Sequence, residues 1–544
     1  MLRLLALAGA VYLCSIVLSQ LLRRAKQQHL RNLPGPPSSS FLTGVAKDLH
    51  NPHAVPYRER VLSSYGRVIK FPAFLGEVEI ALSDPVALGA MFGKHRDAFE
   101  IPKWQSETHN AVFGPNLMSV SGSEHHKQRK HLNPIFSAKY LRQTVFAQHR
   151  IAQELTDVLK TEIGERTAEV ELSEYFSRYS LEAVGRTTLG YTFGPLKKHG
   201  TDYSRALKEF GPTLAQLHLW RPLLPWLRKT FPPALLRSGV GLLPMKALHH
   251  MQWISDSVFA MSKQLLNQKM ENLRKGDEAL LHEVGEGKDL MSVLLRENMS
   301  TKDVDSLSEP ELLGQMSLLL LAATDTTSSS ISRAMQLLSI HRDAQDRLRR
   351  ELVDATKHTG RTIHDFDFDT LASLPYLDAV VKETLRLFPP FYLVMRSTQE
   401  DVVLPLGSPV TGIDGKQIHE LFLPAGTLVW PNVFWVNRDP EIWGADAAEW
   451  KPERWLGPLP ESLTEAHIPS IFAHTITFAA GPRSCIGYNL AVTEMRIALA
   501  HLLLSFEFAP SDKEIVWKFG GIVTPTVRGS TARKPELPVK VTAL

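Results

Sequence analysis

Residues 4–22, LLALAGAVYLCSIVLSQLL, form a run of 19 residues without a single charge. At about 1.5 Å per residue such a helix reaches about 28 Å, close to the hydrocarbon thickness of a bilayer. The run predicts one transmembrane helix ahead of the rest of the chain. Arg3 precedes it, and Arg23, Arg24, Lys26 and Arg31 follow it. That positive excess places the following body on the cytoplasmic side. A cleaved signal peptide is the competing reading; the length of the run and the basic stretch after it speak against that. Pro34, Pro36 and Pro37 around Gly35 then form a stiff non-helical spacer. The expected division is an anchor over 1–31 and a body over 32–544. On that topology the sequon Asn298-Met299-Ser300 faces the cytoplasm and stays unmodified.

The body is a mostly helical α+β fold by its patterning. Apolar residues make up 44% of the 544, enough for a large core, and 22% charged residues exclude wholesale disorder. A net charge of +4 gives no basic surplus for a nucleic-acid partner. Short β-rich runs at 68–71 and 78–82 predict a small sheet. Helical periodicity dominates 139–165, 171–190, 246–274, 308–341 and 370–387. Residues 276–288 read as a charged surface loop. Strands and turns return over 391–435, with turn signals at Gly412-Ile413-Asp414-Gly415 and at Leu423-Pro424-Ala425-Gly426. No linker divides the body, and strands near both ends suggest one cooperative unit. Residues 219–244 mix Trp220, Trp226, Phe231 and several leucines with five prolines and four basic residues. Too broken to span a bilayer, this stretch is expected to lie on one; a buried irregular connection is the alternative.

The chain has two cysteines, Cys14 inside the apolar run and Cys485. That excludes a disulfide-stapled scaffold and any multi-cysteine metal cluster. Cys485 is either a small buried apolar residue or a working thiolate. Its surroundings, Phe-Ala-Ala-Gly-Pro-Arg-Ser-Cys-Ile-Gly over 478–487, allow a tight loop through Gly481 and Gly487. A strongly helical segment, 488–504, follows. A thiol just ahead of a helix amino terminus ionises more easily than a free one. An ionised, shielded thiolate can bind a soft or borderline metal, and a haem iron needs only one such protein ligand, which reconciles a metal site with a single cysteine.

Phe478, Gly481, Arg483, Cys485 and Gly487 stand at the spacing of the haem-binding signature of the cytochrome P450 family, which the chain therefore resembles from about residue 30 onward. Other landmarks occur in the family's order. Glu383-Thr384-Leu385-Arg386 resembles its Glu-x-x-Arg pair, Asn437-Arg438-Asp439-Pro440 is a further match, and Pro452-Glu453-Arg454-Trp455 resembles its Pro-Glu-Arg-aromatic segment. Ala322-Ala323-Thr324-Asp325-Thr326-Thr327 is similar to the family's (Ala/Gly)-Gly-x-(Asp/Glu)-Thr-Thr motif, with Ala323 where glycine is usual. His125 stands where a Trp-x-x-x-Arg helix has its tryptophan, four residues before Arg129. The His-Lys-Gln-Arg-Lys and Gly-Pro-Arg-Ser-Cys wording is most similar to microsomal members from basidiomycete fungi.

The resemblance implies a cytochrome P450 fold, a large helical bundle with small β-sheets behind the transmembrane helix. It implies haem b on Cys485, the metal ligand, within the loop of Phe478, Gly481 and Gly487. His125, Arg129, Arg396 and Arg483 become propionate partners. Thr326 orients dioxygen and its water, and Asp325 relays protons; hydroxyls bonding back to carbonyls at a helix kink are the structural alternative. Glu383, Arg386 and Arg454 form a buried ion network. The implied enzyme is a haem-thiolate monooxygenase that inserts one atom of O2 into an apolar small molecule (terpenoid, steroid-like or fatty) in fungal secondary metabolism. Mainly apolar stretches at 101–121, 319–323, 391–394 and 520–524 are the expected substrate lining. Electrons come from NADPH through a separate cytochrome P450 reductase, docked near Lys127, Lys130 and Arg496. The expected setting is the endoplasmic reticulum membrane, as a monomer. A haem-thiolate isomerase or dehydratase and a non-catalytic haem- or sterol-binding protein are the competing readings.

Overall fold

A computed structural model of the chain describes residue 18 and residues 21–49, 51–194, 196, 202–275, 289–300, 306–532 and 534–544. Most of the expected transmembrane run 4–22, with Cys14, and the whole 276–288 loop lie outside the described residues. Among those described, no helix is long and apolar enough to cross a membrane. The chain folds as two compact units. One comprises Met1–Pro102, Phe391–Glu449 and Leu459–Cys485; the other comprises Lys103–Pro390, Trp450–Pro458 and Ile486–Leu544.

The first unit is built on a five-stranded sheet. Its order is Val68–Pro72, Val78–Leu82, Leu428–Pro431, Arg396–Thr398 and Phe99–Glu100. Val78–Leu82 pairs antiparallel with Val68–Pro72 and parallel with Leu428–Pro431, which brings distant parts of the chain together. Val68, Ile69, Ile80, Ala81, Leu82 and Val429 are fully buried there. A hairpin of Val402–Thr411 and Gln417–Leu423 turns at 412–415, where Gly415 takes a φ of +81° that favours glycine.

The second unit is helical. Its longest helix, Glu309–Ile340, starts on a reciprocal cap: Glu311 accepts from the Ser308 backbone N–H and hydroxyl, and Pro310 sits in the first turn. The helix is apolar on so many sides that only a central position satisfies it. The Leu172–Val184, Lys246–Lys275 and Tyr488–Ser505 helices pack on it. Leu312, Leu313, Met316 and Leu320 meet Val184, Leu265, Leu294 and Leu295 in one core. A three-stranded sheet (Ala168–Glu171, Pro538–Ala543, Phe506–Pro510) and a hairpin (Ile515–Phe519, Val523–Val527) complete the unit.

Three local readings change in detail. The 370–387 segment is two helices, Phe368–Ala372 and Pro375–Leu387, because Leu374 precedes proline and adopts extended ψ. The 171–190 segment is α-helical to Val184 and then opens into a π turn over Gly185–Leu189. Residues 219–244 are not a buried connection. They form the turn Arg221–Leu223 and the short helices Leu224–Thr230 and Pro233–Val240. Leu219, Trp220, Leu235, Leu242 and Leu243 are exposed.

Candidate active site

The first unit holds the thiol. The Cys485 backbone N–H donates to the Phe478 carbonyl at 2.8 Å, and that of Ser484 to the Gly481 carbonyl at 3.0 Å. The Phe478 ring is braced edge-on by Phe472 at 5.3 Å. Gly481 has φ +66°, and a Cβ there would lie 3.0 Å from the Phe92 carbonyl oxygen. Any other residue would be both strained and crowded. The resulting loop closes on its own backbone and leaves Cys485 exposed. Gly487, two residues on, is the cap of the Tyr488–Ser505 helix, and its carbonyl receives the first helical bond from Ala491.

The same unit gathers two guanidinium groups. Arg396, on the edge of its strand, is 5% exposed and donates to the Met395 carbonyl at 2.8 Å. Arg483 pairs with Glu100 at 2.5 Å. Burial draws the Arg396 guanidinium down to about 10, and the neighbouring Arg483 charge adds to this against Glu100. Arg396 is buried and Arg483 mostly so, and both lie in the field of the Glu100 carboxylate. Guanidinium groups present paired N–H donors to carboxylates. A haem, with an iron to take the exposed sulfur and carboxylates to take the cations, fits these residues.

The second unit holds the remaining expected site residues. On the Glu309–Ile340 helix, Thr326 Oγ1 donates to the Ala322 carbonyl at 2.7 Å, and Thr324 Oγ1 likewise to Leu320 at 2.7 Å. The back-bonding read as the structural alternative is therefore present. It uses the hydroxyl proton and leaves the Thr326 oxygen as an acceptor. Burial pushes the Asp325 carboxyl up to about 6, and the Lys208 charge opposes this. Asp325 thus holds or releases a proton near neutrality, as a relay group must. Lys208 lies far away in sequence on an amphipathic helix, and nothing in the sequence signalled it.

Glu383 and Arg386 are both fully buried on the Pro375–Leu387 helix. Arg386 Nε reaches Glu383 Oε2, and Nη2 reaches Oε1, each at 2.8 Å. Arg454 Nε lies 3.4 Å from Oε1, and the Lys451 backbone N–H donates to Oε1 at 3.0 Å. Trp455 Nε1 donates to Oε2 at 3.0 Å. The expected triad is thus assembled, with Lys451 and Trp455 as two further partners. Trp455 was signalled by its place in the Pro-Glu-Arg-Trp segment.

His125 is buried in the Gly122–Leu132 helix, and Arg129 Nε bonds Asn133 Oδ1 at 2.8 Å one turn later. Buried Gln128, between them, joins Glu311 and Gln315 at 3.1 and 2.7 Å. Sequence reading missed this anchor to the long helix. Of the expected docking cations, Lys127 faces Glu311 at 3.6 Å and Lys130 is exposed. Arg496 is mostly buried and paired with Asp378, so it does not belong to a docking face.

The family model for cytochrome P450 matches residues 34–531. Cytochrome P450 monooxygenase 91 of Postia placenta is 40% identical over 99% of this chain and 98% of its own length. Ganoderic acid synthetase of Ganoderma lucidum is 38% identical, over 99% and 98%. A crystal structure of a cytochrome P450 superposes with a TM-score of 0.70 at 20% identity, covering 94% of this chain and 100% of that one, a likeness of fold. With the cysteine loop, the buried Glu383–Arg386 pair and this likeness along nearly its whole length, the chain belongs to the cytochrome P450 family.

Proposed function

We propose that this cytochrome P450 monooxygenase inserts one oxygen atom into a C–H or C=C bond of an apolar small molecule, terpenoid, steroid-like or fatty, in fungal secondary metabolism. The observation that carries the reading is the exposed Cys485 thiol in a loop closed by its own backbone, in one unit with the buried Arg396 and the mostly buried Arg483. Cys485 would hold haem b through its sulfur, with Arg396 and Arg483 as carboxylate partners and His125 and Arg129 as further candidates. Bound there, the haem supplies dioxygen activation, which a thiolate ligand favours. The chain's own work is positioning and proton supply. Asp325 holds a proton on its carboxyl and passes it toward water at Thr326, whose oxygen is free to accept. Two electrons come from NADPH through a separate reductase. The relative named ganoderic acid synthetase supports a secondary-metabolite substrate.

The test is product analysis after co-expression with a reductase and a panel of terpenes, sterols and fatty acids. Thr326→Ala is expected to keep NADPH consumption while product per NADPH falls about a hundredfold, the lower end of the range for a lost proton-transfer group. Product per NADPH should also decline as pH rises through about 6, where Asp325 gives up its proton. In Asp325→Asn that inflection should vanish. Unchanged coupling in Thr326→Ala, or the same pH profile in Asp325→Asn, would remove these roles.

The proposed setting is the cytoplasmic face of the endoplasmic reticulum, as a monomer held by residues 4–22. The exposed Leu219, Trp220, Leu235, Leu242 and Leu243 are the surface proposed to rest on the bilayer. A chain starting at Leu33 should release into the alkaline-carbonate supernatant while the full chain stays in the pellet. Full-length protein in the supernatant would sink the anchor.

A further inference from the structure

Among the described residues, Arg221 is a cation without an acid. Its guanidinium stacks on the Trp104 ring at 4.4 Å, and its Nε donates to Thr108 Oγ1 at 3.2 Å. Trp104 and Thr108 are one turn apart on the Lys103–Phe113 helix, so one helix fixes both the plane and the inner edge of the group. The outer edge, with its two Nη groups, meets no acceptor among the described residues. Desolvation draws the guanidinium down to about 10, and no carboxylate offsets it. The contrast next door is direct: Arg228 has Glu107 at 2.8 Å. A half-buried guanidinium held flat with its fork open is the geometry that receives a carboxylate with two parallel hydrogen bonds.

Two more polar groups of the same helix lack partners. His109 Nδ1 and Gln105 Oε1 are buried and make no hydrogen bond among the described residues. They too are one turn apart. Burial pulls His109 down to about 4, with the Arg221 charge as the second cause, so the ring is neutral and close to Arg221. Its other neighbours are apolar: the rings of Phe113 and Phe210 lie 6.0 and 6.1 Å away and meet each other edge-on at 4.9 Å. Buried polar atoms left unpaired are costly. His109, with Gln105 one turn away, sits at the border between an aromatic wall and an open cation, which suits a molecule with an apolar body and one acidic end.

We propose that Arg221, steadied by Trp104 and Thr108, receives the carboxylate of an otherwise apolar substrate, with Gln105 and His109 offering the flanking polar contacts. This deepens the proposed function, on whose apolar substrate it rests. It narrows that class to acids.

The test compares matched pairs by calorimetric titration of the full-length holoenzyme in nonionic detergent at pH 7.5: hexadecanoic acid against hexadecan-1-ol, and oleanolic acid against its alcohol erythrodiol. In at least one pair the acid should bind about tenfold more tightly, as expected for a charge-assisted hydrogen-bonded pair. Arg221→Gln should erase that preference by weakening the acid alone. Arg221→Lys keeps the charge but loses the fork, and should keep part of the preference. If Arg221→Gln does not fold, the lysine variant decides by the same comparison. Equal affinity within both pairs, no binding of any probe, or equal weakening of acid and alcohol would overturn the proposal. So would a change confined to binding of phosphatidylserine vesicles, which would make the partner a lipid headgroup. Binding needs no turnover, so a preserved acid preference without product from any probe would support Arg221 while counting against the proposed activity.

Discussion

Glu383→Gln is expected to lower the stability of the folded chain by about 3–5 kcal/mol, seen as a large drop in the urea midpoint of the second unit. The carboxylate has two oxygens and receives five donors: two from Arg386, one each from the Lys451 backbone and Trp455, and a longer one from Arg454. An amide at this position turns one acceptor into a donor that points at Arg386 or at Trp455. It also removes the negative charge that Arg386 and Arg454 face here, while Arg386 stays fully buried. A buried charge that loses its partner costs more than the pair contributed. The tie is also topological, because Glu383 on the Pro375–Leu387 helix holds the Pro452–Trp455 turn. Arg386→Lys should fall between, since an ammonium cannot make both of the paired 2.8 Å bonds. Trp455→Phe loses one hydrogen bond and should cost about 1 kcal/mol. A Glu383→Gln protein as stable as the parent would mean that the network carries no stability at all.

What the sequence made legible here follows a rule of distance along the chain. Glu383 and Arg386 are three residues apart on a helix, so their pairing could be read directly. The Cys485 loop is likewise local: Gly481 announces its positive φ, although Ala479, at φ +55°, gives no such signal. The sheet strands at 68–72 and 78–82 and the long central helix were patterned strongly enough to be placed. Partners brought by tertiary packing were not. Glu100 reaches Arg483 across 383 positions, and Lys208 comes to Asp325 from a separate helix. Arg496 looked like a surface cation because a single arginine carries no mark of burial, and Asp378 is supplied by another helix. Arg221 was equally silent: it stood among basic residues of a stretch read as membrane-facing, and tertiary packing separates it, stacked on Trp104, from Arg228, paired with Glu107.

Cys485→Ser is expected to leave the fold in place and to remove the chemistry. The loop is held by backbone bonds, Cys485 N–H to Phe478 and Ser484 N–H to Gly481, which do not involve the side chain. The side chain is exposed, so exchanging sulfur for oxygen neither opens a cavity nor buries an unpaired group. Compared without haem, the unfolding free energies of parent and variant should therefore agree to within about 0.5 kcal/mol. A serine hydroxyl does not ionise near neutral pH and is a harder ligand than a thiolate, so it cannot supply the electron density that the chemistry needs. Product formation should fall by more than the roughly 10–100-fold typical of changes around a ligand, because this change is to the ligand. Dithionite-reduced, carbon monoxide-treated protein should lose the red-shifted Soret band of sulfur ligation. Gly481→Ala is the control that separates ligand from loop. It forces a side chain into a φ of +66° within 3.0 Å of the Phe92 carbonyl, at a cost of about 1–3 kcal/mol. That variant should lose stability while any folded fraction keeps the sulfur signature. If the Cys485→Ser protein instead kept both the pigment and the Soret position of the parent, the sulfur would not be the ligand and the haem-thiolate assignment would fall.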